Sequence, residues 1–123
     1  MKHLGLTFAT VIVLIAGHAF AGGDAARGGK LYDARCSGCH SIEHNRVGPA
    51  HQNTFGRRAG AAPDYDYSPA LKRSKLVWNE VNLNRWLASP ERAIPGQKMG
   101  YLVDDAQDRA DLIAYLKVNS TAK

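Results

Sequence analysis

Sustained alternation of apolar and polar residues is missing from this 123-residue chain, and with it the sequence pattern of a sheet. The strand–helix alternation of a βαβ unit is missing as well, which removes the usual setting of a thiol–disulfide exchange centre. Cysteine is scarce: Cys36 and Cys39 are the only two, and no second Cys/His pair stands at ligand spacing. A structural zinc site would therefore lack half its donors. Methionine is equally scarce, with Met1 and Met99 alone. Neither sign of charge dominates, since sixteen Lys and Arg face eleven Asp and Glu. The basic residues are scattered, with no Lys/Arg run among aromatics, which excludes a nucleic-acid binder. Internal repeats, low-complexity tracts and a second domain are also absent.

What is present is concentrated in one run, Cys36-Ser37-Gly38-Cys39-His40. Two thiols two residues apart can each form a thioether with one vinyl group of a haem, and the adjacent histidine then serves as an axial iron ligand. A plain disulfide between the same cysteines gives His40 no role.

The N-terminus carries Lys2 and His3, an apolar stretch from Leu4 to Ala16, and Ala19-Phe20-Ala21. These are the basic, apolar and small-residue parts of a secretory signal, so residues 1–21 are expected to be a signal peptide and 22–123 a single domain. The apolar stretch is short for a membrane span, and Gly17-His18 interrupts it, which leaves an uncleaved anchor as the lesser reading. Loss of Lys2 with the signal reduces the net charge from +5 to +4. Export fits the haem motif, because c-type haem is attached outside the cytoplasm. A domain this short buries a modest core, so an apolar macrocycle held inside it would add much of the buried surface.

Helical signals recur along residues 24–118. Asp24 is a cap for a helix running to Arg35, and Gly28-Gly29 inside it signals a close backbone approach, since glycine is costly there. Residues 41–67 are rich in Gly, Pro and Asn and read as a long ordered loop, sensible in a small domain if it wraps a prosthetic group. One helical turn is expected over 69–73. A helix follows over 79–88 with Val81, Leu83, Trp86 and Leu87 inward, then another turn capped by Ser89 ahead of Pro90. Ile94-Pro95-Gly96 opens the loop that holds Met99. The best helix spans 104–118, with Asp104 as cap and Gln107 completing a capping box. The fold class is all-α.

An iron in an electron carrier takes a second axial ligand. Met99 is the only methionine beyond the signal and lies far enough downstream of His40 to reach the other haem face. His51 and His44 are the alternatives, His44 being too near His40 to cross the ring. A thioether ligand favours ferrous iron and raises the potential, whereas a second histidine lowers it.

The whole of residues 22–123 resembles a class I c-type cytochrome of the mitochondrial and soluble bacterial kind. The resemblance rests on Gly28-Gly29-Lys30-Leu31-Tyr32, the haem motif, Val47-Gly48-Pro49 and Phe55-Gly56-Arg57-Arg58-Ala59-Gly60. It continues through Tyr67-Ser68-Pro69-Ala70-Leu71-Lys72, Trp78, Ile94-Pro95-Gly96-Gln97-Lys98-Met99 and Asp111-Leu112-Ile113-Ala114-Tyr115-Leu116. It implies a cytochrome c fold, several short helices and long loops around one covalent haem c held through Cys36 and Cys39, its iron between His40 and Met99. It further implies that Pro49 offers its carbonyl to His40, that Arg57, Tyr67 and Trp78 satisfy the haem propionates, and that Gly28 meets Tyr115 where the first and last helices cross. The chain departs from the pattern at His51, usually apolar, at Leu71, often asparagine, and at Trp86, often tyrosine. The resemblance also implies a basic ring at the exposed haem edge, with Arg35, Arg73, Arg92 and Lys98 as candidates for weak, salt-sensitive docking.

The leading functional expectation is a monomeric periplasmic single-electron carrier, not an enzyme. It would work between redox proteins such as a quinol-oxidising complex, a terminal oxidase or a periplasmic dehydrogenase, with membrane contact only peripheral or through an uncleaved signal. The alternative is a haem subunit dedicated to one periplasmic dehydrogenase, for example a sulfur-compound oxidising one. A gas-sensing or enzymatic role would need an open iron position.

Overall fold

The computed structural model describes residues 22–120. The expected signal peptide, 1–21, lies outside the described residues. Five helices follow one another: α1 (Ala25–Arg35), α2 (Pro69–Arg73), α3 (Glu80–Ala88), α4 (Pro90–Ala93) and α5 (Ala106–Val118). Among the described residues there is no strand, only an isolated antiparallel bridge between Arg58 and Val77. No helix among them is long and apolar enough to cross a membrane.

The most extensive helix contact joins α1 to α5, and its closeness is set by Gly28. A Cβ placed there would overlap the Asp111 carbonyl and come within 2.9 Å of the Tyr115 Cβ. The crossing with Tyr115 thus lies where the glycine pair places it, and backbone-to-backbone contact outweighs the helix propensity that glycine gives up. The same crossing buries Asp111, which is 1 % exposed. Its Oδ1 accepts from the Asp24 backbone N–H at 2.7 Å and from Gln107 Nε2 at 2.9 Å, and Arg27 donates to its Oδ2. Burial pushes this carboxyl up, but the Asp24 amide, Arg27 and Gln107 outweigh burial and hold it below its usual value.

A carboxyl held lower in the folded than in the unfolded state contributes stability that is complete above the unfolded value of about 3.9, and that is lost as pH falls through the folded value. Asp111→Asn is therefore expected to lower the melting temperature of the haem-loaded protein most at pH 7. The deficit should narrow below pH 4, as thermal unfolding at both pH values would record. A deficit that widens in acid would contradict the assignment.

Several element ends differ from the sequence expectation, for local reasons. Asp105, not Asp104, caps α5, accepting from the Asp108 N–H at 2.8 Å. Gln107 then sits in the first turn and reaches Asp111 rather than closing a capping box. The Asp104 carbonyl serves Arg109 instead. Ser89 makes no side-chain cap; it stays extended between α3 and α4 and gives its N–H to Arg85. Val81 is 67 % exposed, because α3 buries Leu83 and Leu87, one turn apart, and a residue two places before Leu83 falls on the far side.

The connection from Cys36 to Ser68 contains no helix yet is firmly placed. His51 and Gln52 donate backbone N–H groups to Ser41 and Ile42, and Gly48 donates to Cys39. Further on, Gly56 pairs with Trp78, Trp78 with Arg57, and Ala59 with Leu76. The expected ordered loop is thus a strap tied at both ends of its course, and its inner side faces a cavity.

Candidate functional site

The last turn of α1 delivers the first cysteine. Cys36 is the C-cap of α1, and the backbone N–H groups of Cys39 and His40 both return to the Cys36 carbonyl, at 3.1 and 2.9 Å. This tight turn sets two free thiols and an imidazole side by side, Cys36 half-buried and Cys39 exposed. Burial pushes the Cys36 thiol up to about 11. It is protonated at neutral pH, unlike the attacking thiolate of an exchange centre.

His40 is 9 % exposed, and its Nδ1 lies 2.9 Å from the Pro49 carbonyl. A carbonyl only accepts, so Nδ1 carries the proton and donates it there, leaving the Nε2 lone pair bare. Burial lowers the affinity of the ring for a second proton, and the Pro49 carbonyl only partly offsets that. Gly48 completes the seat. A Cβ at this position would lie 2.5 Å from Nδ1 and 2.7 Å from Nε2 of His40, so only glycine lets the chain pass the ring. This role of Gly48 is not among the sequence expectations; a glycine beside a proline that must hold a histidine is the signal that marks it.

The ring faces a cavity of about 580 Å³ whose walls bring all eight expected site residues together: Cys36, Cys39, His40, Pro49, Arg57, Tyr67, Trp78 and Met99. Leu71, Leu83, Leu87, Leu112 and Leu116 supply apolar wall from α2, α3 and α5. Met99 arrives on the loop between α4 and α5, its backbone N–H donating to the Gln97 side chain. Trp78 is buried and packs edge-on against Trp86, ring centroids 5.2 Å apart. Leu71 and Trp86, two departures from the family pattern, therefore stand in or against the apolar wall.

Arg57 is the informative polar group. Its two terminal nitrogens donate to the Gln52 and Ala50 carbonyls and to Thr54 Oγ1. Its Nε is buried and has no partner. Tyr67 OH accepts from the Ala62 N–H at 3.2 Å, which leaves its own proton to donate. A buried N–H without an acceptor is costly, and a carboxylate at this end of the cavity would satisfy it. Among the described residues no group of three or more His, Cys, Asp and Glu side chains gathers to hold a metal. An iron placed here would have the His40 imidazole and the Met99 thioether within the same cavity, and a macrocycle would supply the remaining donors. An apolar macrocycle with vinyl groups beside two thiols and carboxylates beside Arg57 fits these walls.

The two rival ligands are placed differently from Met99. His44 is 80 % exposed and 3.8 Å from the Glu43 carboxylate. His51 lines the cavity, but on the His40 side: its ring stacks on His40, centroids 4.1 Å and planes 21° apart. Its Nδ1 shares a 3.0 Å hydrogen bond with the Tyr32 hydroxyl. Burial first, then His40 and Arg57, lower it to about 3, so the imidazole is neutral. Tyr32, from α1, is a further site residue missed in the sequence. Of the candidate docking cations, Arg35 and Lys98 reach the cavity, while Arg73 and Arg92 do not. Arg35 is also engaged, donating to Tyr101 OH and to Asp108.

Residues 25–120 match the Cytochrome c family model. Cytochrome c of Euglena viridis is 42 % identical over 98 residues, which span 77 % of this chain and 96 % of that protein. Cytochrome c2 of Rhodomicrobium vannielii is 34 % identical over 120 residues, spanning 94 % of this chain and 95 % of the other. The solved structure of cytochrome cH from Methylobacterium extorquens superposes with a TM-score of 0.75 at 44 % identity, over 78 % of this chain and 99 % of that one. The fold is the all-α cytochrome c fold, and the chain belongs to the cytochrome c family, a haem-containing electron carrier with one covalently bound haem c.

Proposed function

We propose that this chain is an exported periplasmic carrier of single electrons, its signal removed after Ala21, with the haem c iron between His40 and Met99. The observation that carries the site assignment is the His40 ring, its Nδ1 tied to Pro49 and its bare Nε2 in a cavity shared with Met99. When bound, the haem supplies a one-electron ferric/ferrous couple. Cys36 and Cys39 would hold it through two thioether bonds, each thiol having added across one vinyl group with its hydrogen passing to the neighbouring carbon. Arg57 Nε, the Tyr67 hydroxyl and Trp78 would hold its carboxylates. The apolar wall of Leu71, Leu83, Leu87, Leu112 and Leu116 keeps water from the iron. With His40 and Met99 both on the iron, no position would be open for a substrate, which favours carrier over catalyst. Its partners on this reading are periplasmic redox proteins: a quinol-oxidising complex, a terminal oxidase or a dehydrogenase.

Optical spectra of the oxidised protein test the ligand pair. The wild type should show the weak far-red sulfur-to-iron band, and Met99→Ala should lose it while the haem remains covalently attached. An unchanged spectrum in the variant would remove Met99 from the iron.

A further inference from the structure

The contact between His51 and His40 has no part in the assignment above. The His51 ring lies flat on the His40 ring, 4.1 Å away and within 21° of parallel. It is held there from two sides. Its backbone N–H donates to the Ser41 carbonyl at 2.9 Å, and its Nδ1 is 3.0 Å from the Tyr32 hydroxyl. Tyr32 in turn is 4 % exposed and packs against Tyr115, ring centroids 5.2 Å apart. An unbroken series of contacts therefore runs from the α1–α5 crossing through Tyr32 and His51 to His40.

The Pro49 carbonyl fixes one atom of the His40 ring. A ring held at one atom still rocks about that bond, and a flat neighbour of fixed orientation removes the rocking. An aliphatic side chain in the same place would fill space without imposing a plane. It would also replace a dipole by hydrocarbon, and the polarity around an axial ligand is one of the levers that set a haem potential.

We infer that Tyr32 and His51 are a positioning pair for the axial imidazole, fixing the rotation of the His40 ring and placing a polar ring behind it. The inference rests on His40 being the iron ligand. The polar ring stabilises the more positive ferric state relative to an aliphatic neighbour.

The test uses the haem-loaded protein and three variants, Tyr32→Phe, His51→Leu and His51→Phe. Two quantities are read: the paramagnetically shifted haem methyl resonances of the oxidised form, which report the plane of the axial imidazole, and the midpoint potential. Tyr32→Phe keeps the ring packing and removes only the hydroxyl, so it survives as a probe if the His51 variants fold poorly. It should change the spread of the methyl resonances. His51→Leu should change it further and raise the potential. His51→Phe restores a flat neighbour, so its methyl pattern should return toward wild type while its potential stays raised. Wild-type methyl patterns and potentials in all three, with only the melting temperature lowered, would show packing alone and overturn the pair's role. Failure of the ligand assignment itself is visible earlier: with another pair of ligands at the iron, the wild-type protein would already lack the strongly shifted methyl resonance of a bound methionine.

Discussion

Gly48→Ala should remove His40 from the iron. The new methyl would stand 2.5 Å from Nδ1 and 2.7 Å from Nε2 of a ring that cannot move aside, because Pro49 holds its edge and His51 covers a face. Overpacking in a well-filled interior costs about 1–3 kcal/mol. Here relief of the overlap also breaks the Pro49 hydrogen bond and would take Nε2 off the iron it is proposed to hold, so the cost should exceed the upper end of that range. The readouts are the melting temperature and the optical spectrum of the haem-loaded variant, with a large fall in the first and loss of the wild-type low-spin spectrum in the second. A variant with both unchanged would mean that the strap at Gly48 gives way easily, and the seat described for His40 would be wrong.

The second large effect is at the helix crossing, where two adjacent glycines should behave in opposite ways. In an exposed helix, Gly→Ala gains about 1 kcal/mol from propensity. At Gly28 the methyl would overlap the Asp111 carbonyl oxygen, lie 2.6 Å from its carbon and 2.9 Å from the Tyr115 Cβ, all atoms on or next to the backbone of α5. No side-chain rotation relieves this, so α1 and α5 must part, at about 3 kcal/mol or more by the overpacking scale. Packing outweighs propensity, and Gly28→Ala should melt far below wild type. At Gly29 the methyl would meet only the edge of the Tyr115 ring, at 3.2 and 3.3 Å, and that ring can shift by a few tenths of an ångström. Gly29→Ala should stay within about 1 kcal/mol of wild type. Equal melting temperatures for the two variants would refute the account of the crossing.

Much of the site was readable in the sequence because its chemistry is local or carried by scarce residues. Cys36, Cys39 and His40 are contiguous, and Met99 is the only methionine beyond residue 21. Arg57 and Arg58 are neighbours that composition cannot tell apart; the family motif picked Arg57, and the structure puts it in the cavity with Arg58 exposed. The α1 span was legible from Asp24, whose carboxylate accepts from the Ala26 and Arg27 amides. Two aspartates in a row blurred the start of α5, since either Asp104 or Asp105 satisfies a cap pattern and only the register of the buried face decides. Val81 was misplaced by counting apolar residues instead of following one helical face. His51 stood out as a departure from the pattern, but its role depends on Tyr32, and a hydroxyl on a helix meets an imidazole on a loop only after the chain has folded back.

The α1–α5 crossing also bears on when the protein can become itself. Its two halves are Ala25–Arg35 and Ala106–Val118, so the contact between them cannot exist while the chain is still being made, until α5 has been added. Throughout that interval Cys36 and Cys39, at the end of an unpartnered α1, are open to whatever machinery reaches them. A chain that must include α5 before α1 can find its partner offers its thiols before it offers that crossing.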